Sequence, residues 1–263
     1  MTKSYEFVLD AELSTTINEN LEKNRFQFLF QIDHLADVGQ GASFYDPELK
    51  MHFVDRSAIG AIYQIDIQNI YLELSPRLAK AADFIRRVNY VNDWMEIKVN
   101  GKGVVMSVEN RKELKDSWKE LRRMLSHDFP GKAVEEKLTK IDERLNVPDK
   151  ILRAVYTYMN FGLIFPHIPP KHGENWENRR QVALSEYENE TVEEHLYYAE
   201  EHEGARRYNV SLSSTPEQQM EVEQASGYVL VSKEEIFPKE ARVEVSYRNK
   251  IIQNVWTFRL DKY

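Results

Sequence analysis

Apolar and polar positions alternate along most of this chain, and the period of the alternation switches between strand and helix along it. Phe26, Phe28, Phe30 and Ile32 are separated by Gln27, Leu29 and Gln31, a period-two pattern that predicts a strand. Gly39 to Pro47 is rich in turn residues, and beyond it Met51 and Phe53, then Ile59, Ala61, Tyr63, Ile65 and Ile67, alternate again. Ile70, Leu72 and Leu74 continue on the opposite parity, which predicts a bulge or bend within one long strand. Ser75-Pro76 has the form of an N-cap with proline at the first helical position, and Leu78, Ala82 and Ile85 give a short amphipathic helix to about Val88. Val91, Met95, Ile97 and Val99 then lead to Asn100-Gly101, with Val104, Met106 and Val108 beyond it. Asn-Gly between alternating runs predicts a hairpin with a type I′ turn, and Lys102-Gly103 could lengthen the loop.

The middle of the chain changes to helical spacing. Asn110 with Glu113 three residues on has the form of a capping box, and Leu114, Trp118, Leu121 and Leu125 fall on one helical face. Phe129-Pro130-Gly131 breaks that helix; Val134, Leu138, Ile141 and Leu145 define a second. Asn146-Val147-Pro148 opens a third that runs through Ile151, Leu152, Val155, Tyr156 and Met159. After Trp176 strand character returns, in segments near 177–188, 191–201, 205–213, 218–232, 240–249 and 251–260, separated by turn-prone residues such as Asn189, Gly204, Pro216 and Pro238. Consecutive strands joined by short turns imply an antiparallel meander. The expected fold is α+β: one β-rich domain over 1–263 with a curved, half-barrel-like antiparallel sheet and a helical insertion at about 109–162.

The seam between helices and strands is Phe161-Gly-Leu-Ile-Phe-Pro-His-Ile-Pro-Pro-Lys-His-Gly-Glu-Asn-Trp176. Pro166, Pro169 and Pro170 fix φ and bias their predecessors toward extended backbone, so the helix cannot continue. Gly173 is expected to supply a turn conformation closed to other residues, and Trp176 to pin the next strand to the core.

Composition narrows the chemistry. A net charge of −8 argues against a nucleic-acid footprint. The pairs Arg86-Arg87, Arg122-Arg123, Arg179-Arg180 and Arg206-Arg207 lie near acidic residues and read as solvated or ion-paired surface. The absence of cysteine removes disulfides, thiolate metal sites and cysteine nucleophiles. The first ten residues lack the apolar core of a signal peptide, and no run reaches the roughly 18–20 apolar residues of a membrane span. A cytoplasmic protein is expected, or a periplasmic or envelope one if a leader has been removed.

Candidate reactive groups are few. His195 and His202 lie among acidic residues, but their odd separation puts them on opposite faces of a regular strand and misses the helical His-Glu-x-x-His spacing. His167 and His172 flank the prolines with Glu174 nearby; such a loop could present a ligand pair or an acid–base residue, and an enzyme built on these three is the third-ranked reading. Gly39-Gln-Gly41 is too short to cradle a phosphate, and no nucleophile motif occurs. No cofactor or metal is expected. Fourteen tyrosines and 12 phenylalanines, many on one face of predicted strands, could line the concave side of a curved sheet and form an apolar pocket.

The hairpin from Trp94 to Val108, the helices after it, Phe161-Gly-Leu-Ile-Phe-Pro166 and Pro170-Lys-His-Gly-Glu-Asn-Trp176 together resemble a family of bacterial envelope proteins of uncharacterised activity. Their sheet looks like the curved half-barrel of lipoprotein-carrier proteins, which shelter acyl chains. The resemblance covers about residues 90–260 and implies no catalytic residues. The leading expectation is a non-catalytic protein holding an apolar small molecule, lipid or partner segment in the concave face. The alternative is a structural or assembly subunit that docks protein partners through its helical insertion.

Overall fold

Strands account for most of the described chain, and the order in which they pair fixes where its two halves meet. The computed structural model describes residues 24–34, 42–57, 59–74, 81–169, 171–184, 191–214, 221–233, 235–248 and 253–263. The strands are β1 (Asn24–His34), β2 (Ala42–Ser57), β3 (Gly60–Glu73), β4 (Trp94–Asn100), β5 (Val105–Val108), β6 (Glu177–Ala183), β7 (Thr191–His202), β8 (Ala205–Ser214), β9 (Glu221–Ser232), β10 (Pro238–Arg248) and β11 (Gln253–Lys262). They form one open 11-stranded antiparallel sheet in the order β5-β4-β3-β2-β1-β11-β10-β9-β8-β7-β6. The first described strand, β1, therefore lies mid-sheet; the chain walks out to the β5 edge and re-enters at the opposite edge with β6. It then walks back until β11 pairs with β1.

Four helices complete the α+β fold among the described residues: α1 (Ala82–Asn89), α2 (Arg111–Asp128), α3 (Lys132–Asn146) and α4 (Pro148–Val155). The last three lie, in sequence, between the two edge strands. Leu114, Trp118 and Leu125 of α2 and Leu138, Ile141 and Leu145 of α3 are buried, as their spacing predicts. The two helices are also tied by polar bonds: Trp118 Nε1 donates to Asp142 at 2.6 Å, and Arg122 Nε donates to the other Asp142 oxygen at 2.8 Å.

The sheet curves, and ring contacts show by how much. β3 and β10 are four strand spacings apart in the sheet order, about 19 Å if the sheet were flat. Yet Tyr63 on β3 meets Phe237, the residue before β10, with centroids 4.9 Å apart. The core fills this concave side: Ala61, Tyr63, Ile65 and Ile67 of β3, Ala241, Val243, Val245 and Tyr247 of β10, and Trp256, Phe258 and Leu260 of β11 all point into it and are buried.

Several local expectations change. The shift at Ile67 to Ile70 is a register shift, Glu48 pairing Asn69 while Leu49 pairs Ile67, as the parity change predicts. Residues 42–47, expected in a turn, instead open β2, and Pro47 sits inside it opposite Ile70. On the other side, the β1–β2 pairing skips from Gln27↔Glu48 to Phe30↔Tyr45, so the missing proline N–H falls where the ladder is already interrupted. Val91 lies in a 3₁₀ turn, Tyr90–Asn92, because the chain is still winding out of α1.

The hairpin loop is longer than a two-residue turn. Asn100 Oδ1 accepts from the N–H groups of Lys102 and Val104, and the left-handed residue is Gly103, at φ 75°, not Gly101. Asn110 makes no capping bond to its helix. Its side chain bridges to β4 instead, accepting from Glu96 N–H at 2.9 Å and donating to Trp94 O at 2.7 Å. The third helix stops at Val155, before Tyr156 and Met159. Gly39-Gln-Gly41, Ser75-Pro76, Leu78, Pro170, Asn189, Pro216, Ile252 and the side chains of Phe28, Phe30, Ile32 and His202 lie outside the described residues.

Candidate functional site

The inner wall of a curved sheet should be apolar, and buried charged side chains, foremost Arg180 with Glu194, break that rule. Successive residues of a strand face opposite sides, so Arg179 and Arg180 of β6 part company. Arg179 faces outward to Glu193 at 3.4 Å, whereas Arg180 faces inward, with its side chain 9% exposed beside Glu194, at 1%. The expectation that this arginine pair is surface fails at Arg180, because a strand places one member of any adjacent pair inside. Arg206 is likewise buried, on the inner side of β8.

Glu194 sits opposite Arg180 in the β6–β7 register. Its Oε2 accepts from Arg180 Nε, while Oε1 accepts from an Arg180 terminal nitrogen at 3.2 Å and from the Tyr158 hydroxyl at 2.5 Å. Burial, with the Glu194 charge next in weight, holds the Tyr158 hydroxyl well above its ordinary pKa, so it remains a donor. The other guanidinium bonds run to main chain. One terminal nitrogen donates to Phe165 O at 2.5 Å and the other to Gly162 O at 3.0 Å.

Those carbonyls belong to the seam, which lies within the concavity. Phe161, Gly162, Leu163, Ile164, Phe165, Pro166 and Ile168 are all buried. Phe165 meets Phe237 edge-on at 6.0 Å, and Tyr158, just ahead of the seam, meets Phe258 of β11 at 5.2 Å. The segment turns tightly: Gly162 N–H donates to Thr157 O, and the N–H groups of Ile164 and Phe165 both donate to Phe161 O. A Cβ at Gly162 would lie 2.4 Å from Tyr156 O and 3.0 Å from the Thr157 carbonyl, so only glycine fits this close approach.

Tyr156 joins the two edges of the sheet. Its hydroxyl accepts from Val105 N–H on β5 at 2.8 Å and approaches Val105 O at 3.2 Å, while the guanidinium of Arg180 on β6 lies 5.6 Å from its ring centre. Strands at opposite ends of an 11-strand order touch the same side chain.

The residues picked out from sequence separate into two groups. Pro166 is buried in the seam, and Pro170 lies outside the described residues. His167 has φ 61°, unusual for a residue with a Cβ, and packs edge-on to Tyr156 at 4.6 Å. Its Nε2 is buried with no hydrogen-bond partner among the described residues. Burial, and then the Arg180 charge, push its pKa down to about 3. His172 belongs to a different cluster: it stacks on Trp176 at 5.1 Å, and its Nε2 meets the Tyr208 hydroxyl, with Tyr198 closing the group. Trp176 meets buried Tyr208 edge-on at 5.3 Å, and its carbonyl accepts from Tyr198 N–H. Glu174 is exposed. Gly173 does not take the role expected of it: its φ is not left-handed, and a Cβ there would meet none of the described residues within 4 Å.

His195 bonds Glu177 at 2.9 Å on the outer face. The β7–β8 ladder shifts register between Tyr198 and Glu200, and the expected placement of the His202 side chain lies outside the described residues. Among the described residues no group of three or more His, Asp or Glu side chains is placed to hold a metal. Arg180, Glu194 and Tyr158 were missed from sequence, and the available signal was a charged residue on the apolar parity of each of two predicted strands.

No protein-family model matches the chain and no curated protein matches it in sequence, so the envelope-protein resemblance gains no support from either. Among solved structures, one described as lipid–protein interactions in lipovitellin aligns over 92% of this chain, at 9% identity and a TM-score of 0.48. The chain spans about a quarter of that protein's length, 25%. No helix among the described residues is long and apolar enough to cross a membrane.

Proposed function

We propose that the protein is a non-catalytic binding protein that holds an apolar ligand in the concavity of its sheet, in the place taken here by Phe161–Ile168. The observation that carries this reading is the occupant itself. An irregular apolar stretch lies inside the curved sheet, and two of its carbonyls hang on one side chain, Arg180. A wall that accepts such a segment through shape and apolar contact offers the same surface to another apolar chain. In this reading residues 109–162 act as an insertion between the edge strands, and the seam at its end is a cover that yields to the ligand. His167 marks the end that yields, since lifting it relieves a strained φ and frees a ring nitrogen to meet water.

The test is direct. Solvent extracts of the purified protein, read by mass spectrometry, are expected to contain acyl-chain molecules. Ligand-stripped protein is expected to take up a fluorescent polyene lipid saturably, at one site. A clean extract together with no saturable uptake would refute the reading.

A further inference from the structure

Resting on that reading, we infer that the ligand is a neutral acyl ester, whose carbonyl oxygen replaces the Gly162 and Phe165 carbonyls on Arg180. The donors of Arg180 fall into two sets. Nε and one terminal nitrogen are committed to Glu194, whose Oε1 is also held by Tyr158. This part is a closed, charge-neutral unit within the sheet wall. The bonds that remain point the other way, into the seam, and are spent on two uncharged carbonyl oxygens. Any ligand that displaces the seam must satisfy those donors, because a buried guanidinium N–H left unpaired is costly.

The chemistry of the surroundings selects among acceptors. A free carboxylate would set a second anion against a guanidinium already neutralised by Glu194, in an apolar wall that cannot solvate it. An incoming peptide would supply carbonyls but also bring N–H donors. The seam spends the N–H groups of Gly162, Ile164 and Phe165 in tight turns, on Thr157 O and Phe161 O, which an extended peptide does not reproduce. An ester carbonyl accepts and brings no donor, and its acyl chain can take the volume now filled by Leu163, Ile164 and Phe165.

The experiment uses the full chain at pH 8 with three fluorescent probes: the methyl ester of a conjugated polyene fatty acid, the free acid, and a dye-labelled, end-capped peptide of the sequence Phe161–Ile168. The ester is expected to bind at one site at least tenfold more tightly than the acid or the peptide. In the double variant Arg180→Met with Glu194→Gln, which removes both charges together, ester affinity is expected to fall about tenfold and the ester-over-acid preference to vanish. Equal or tighter binding of the acid, preference for the peptide, or unchanged ester binding in the double variant would each overturn the ester inference while leaving apolar binding in place. Failure of every probe to bind overturns both. Should the double variant not fold, the wild-type preference between ester and acid decides alone.

Discussion

At the scale of single residues, two glycines of the seam make opposite predictions. Gly162→Ala forces a Cβ to within 2.4 Å of a backbone oxygen, in a segment bonded on both sides, and is expected to destabilise the fold by about 2–4 kcal/mol. Gly173→Ala meets open space at an ordinary φ and is expected to change stability by no more than about 0.5 kcal/mol. Urea denaturation of the two variants checks both. Sequence favoured Gly173 because prolines and a tryptophan surround it, yet local composition does not report close approach of chain segments. Gly162 matters through Tyr156 and Thr157, whose carbonyls reach it only because the chain doubles back there.

His167 gives a second residue-scale prediction, with a definite sign. Its pKa is about 3 when folded and near 6.5 when unfolded, so between those values the unfolded chain binds the extra proton. The contribution of neutral His167 is fully present above pH 6.5 and is lost as pH falls, by up to about 1.4 kcal/mol per pH unit. His167→Asn, which tolerates a left-handed φ and does not titrate, is expected to flatten this part of the acid limb of a stability-versus-pH curve. An unchanged limb would show that His167 does not titrate in that window.

At the scale of elements, what could be read in advance followed period. The helices of 111–146 and the strands of the second half emerge from spacing because each buries one face, and burial is what spacing encodes. The bulge of β3 was visible for the same reason, as a change of parity. Elements that depend on a partner were not. Pro47 reads as a turn residue until β1 is seen to leave its pairing open there. Asn110 reads as a cap, but its amide serves β4, so the hairpin rather than the helix terminus should suffer when it is lost. Asn110→Ala strips partners from Glu96 N–H and Trp94 O and is expected to cost about 1–3 kcal/mol. Amide exchange at Glu96 is expected to rise more than exchange within α2. The reverse order would restore the capping role.

At the scale of the whole molecule, the sheet is open in its pairing but its two edges meet at Tyr156, and the residues gathered there carry charge into the core. Periodicity shows that a strand has an inner face but not which strand lies opposite it, so neither Tyr156 nor the Arg180–Glu194 pair could be assigned a role from sequence alone. Their energetics are asymmetric. Arg180→Met leaves Glu194 buried with Tyr158 as its remaining donor among the described residues, and strips the bonds to Gly162 and Phe165. Removing one member of a buried ion pair costs about 3–5 kcal/mol, mostly from the charge left behind. Replacing both members avoids that penalty, since a neutral glutamine still accepts from Tyr158. The single variant should therefore be far less stable than the double variant Arg180→Met with Glu194→Gln, although the double variant changes more. Thermal melts of the two, with the Glu194→Gln single completing the cycle, measure the difference. If the pair only stabilises the fold, the double variant should melt below wild type and keep the wild-type ligand preference. If the pair was retained to present donors to the concavity, the double variant should keep its melting temperature and lose its ligand preference. Stability and selectivity then separate in one protein, which is the expected mark of a charge placed in a core for recognition.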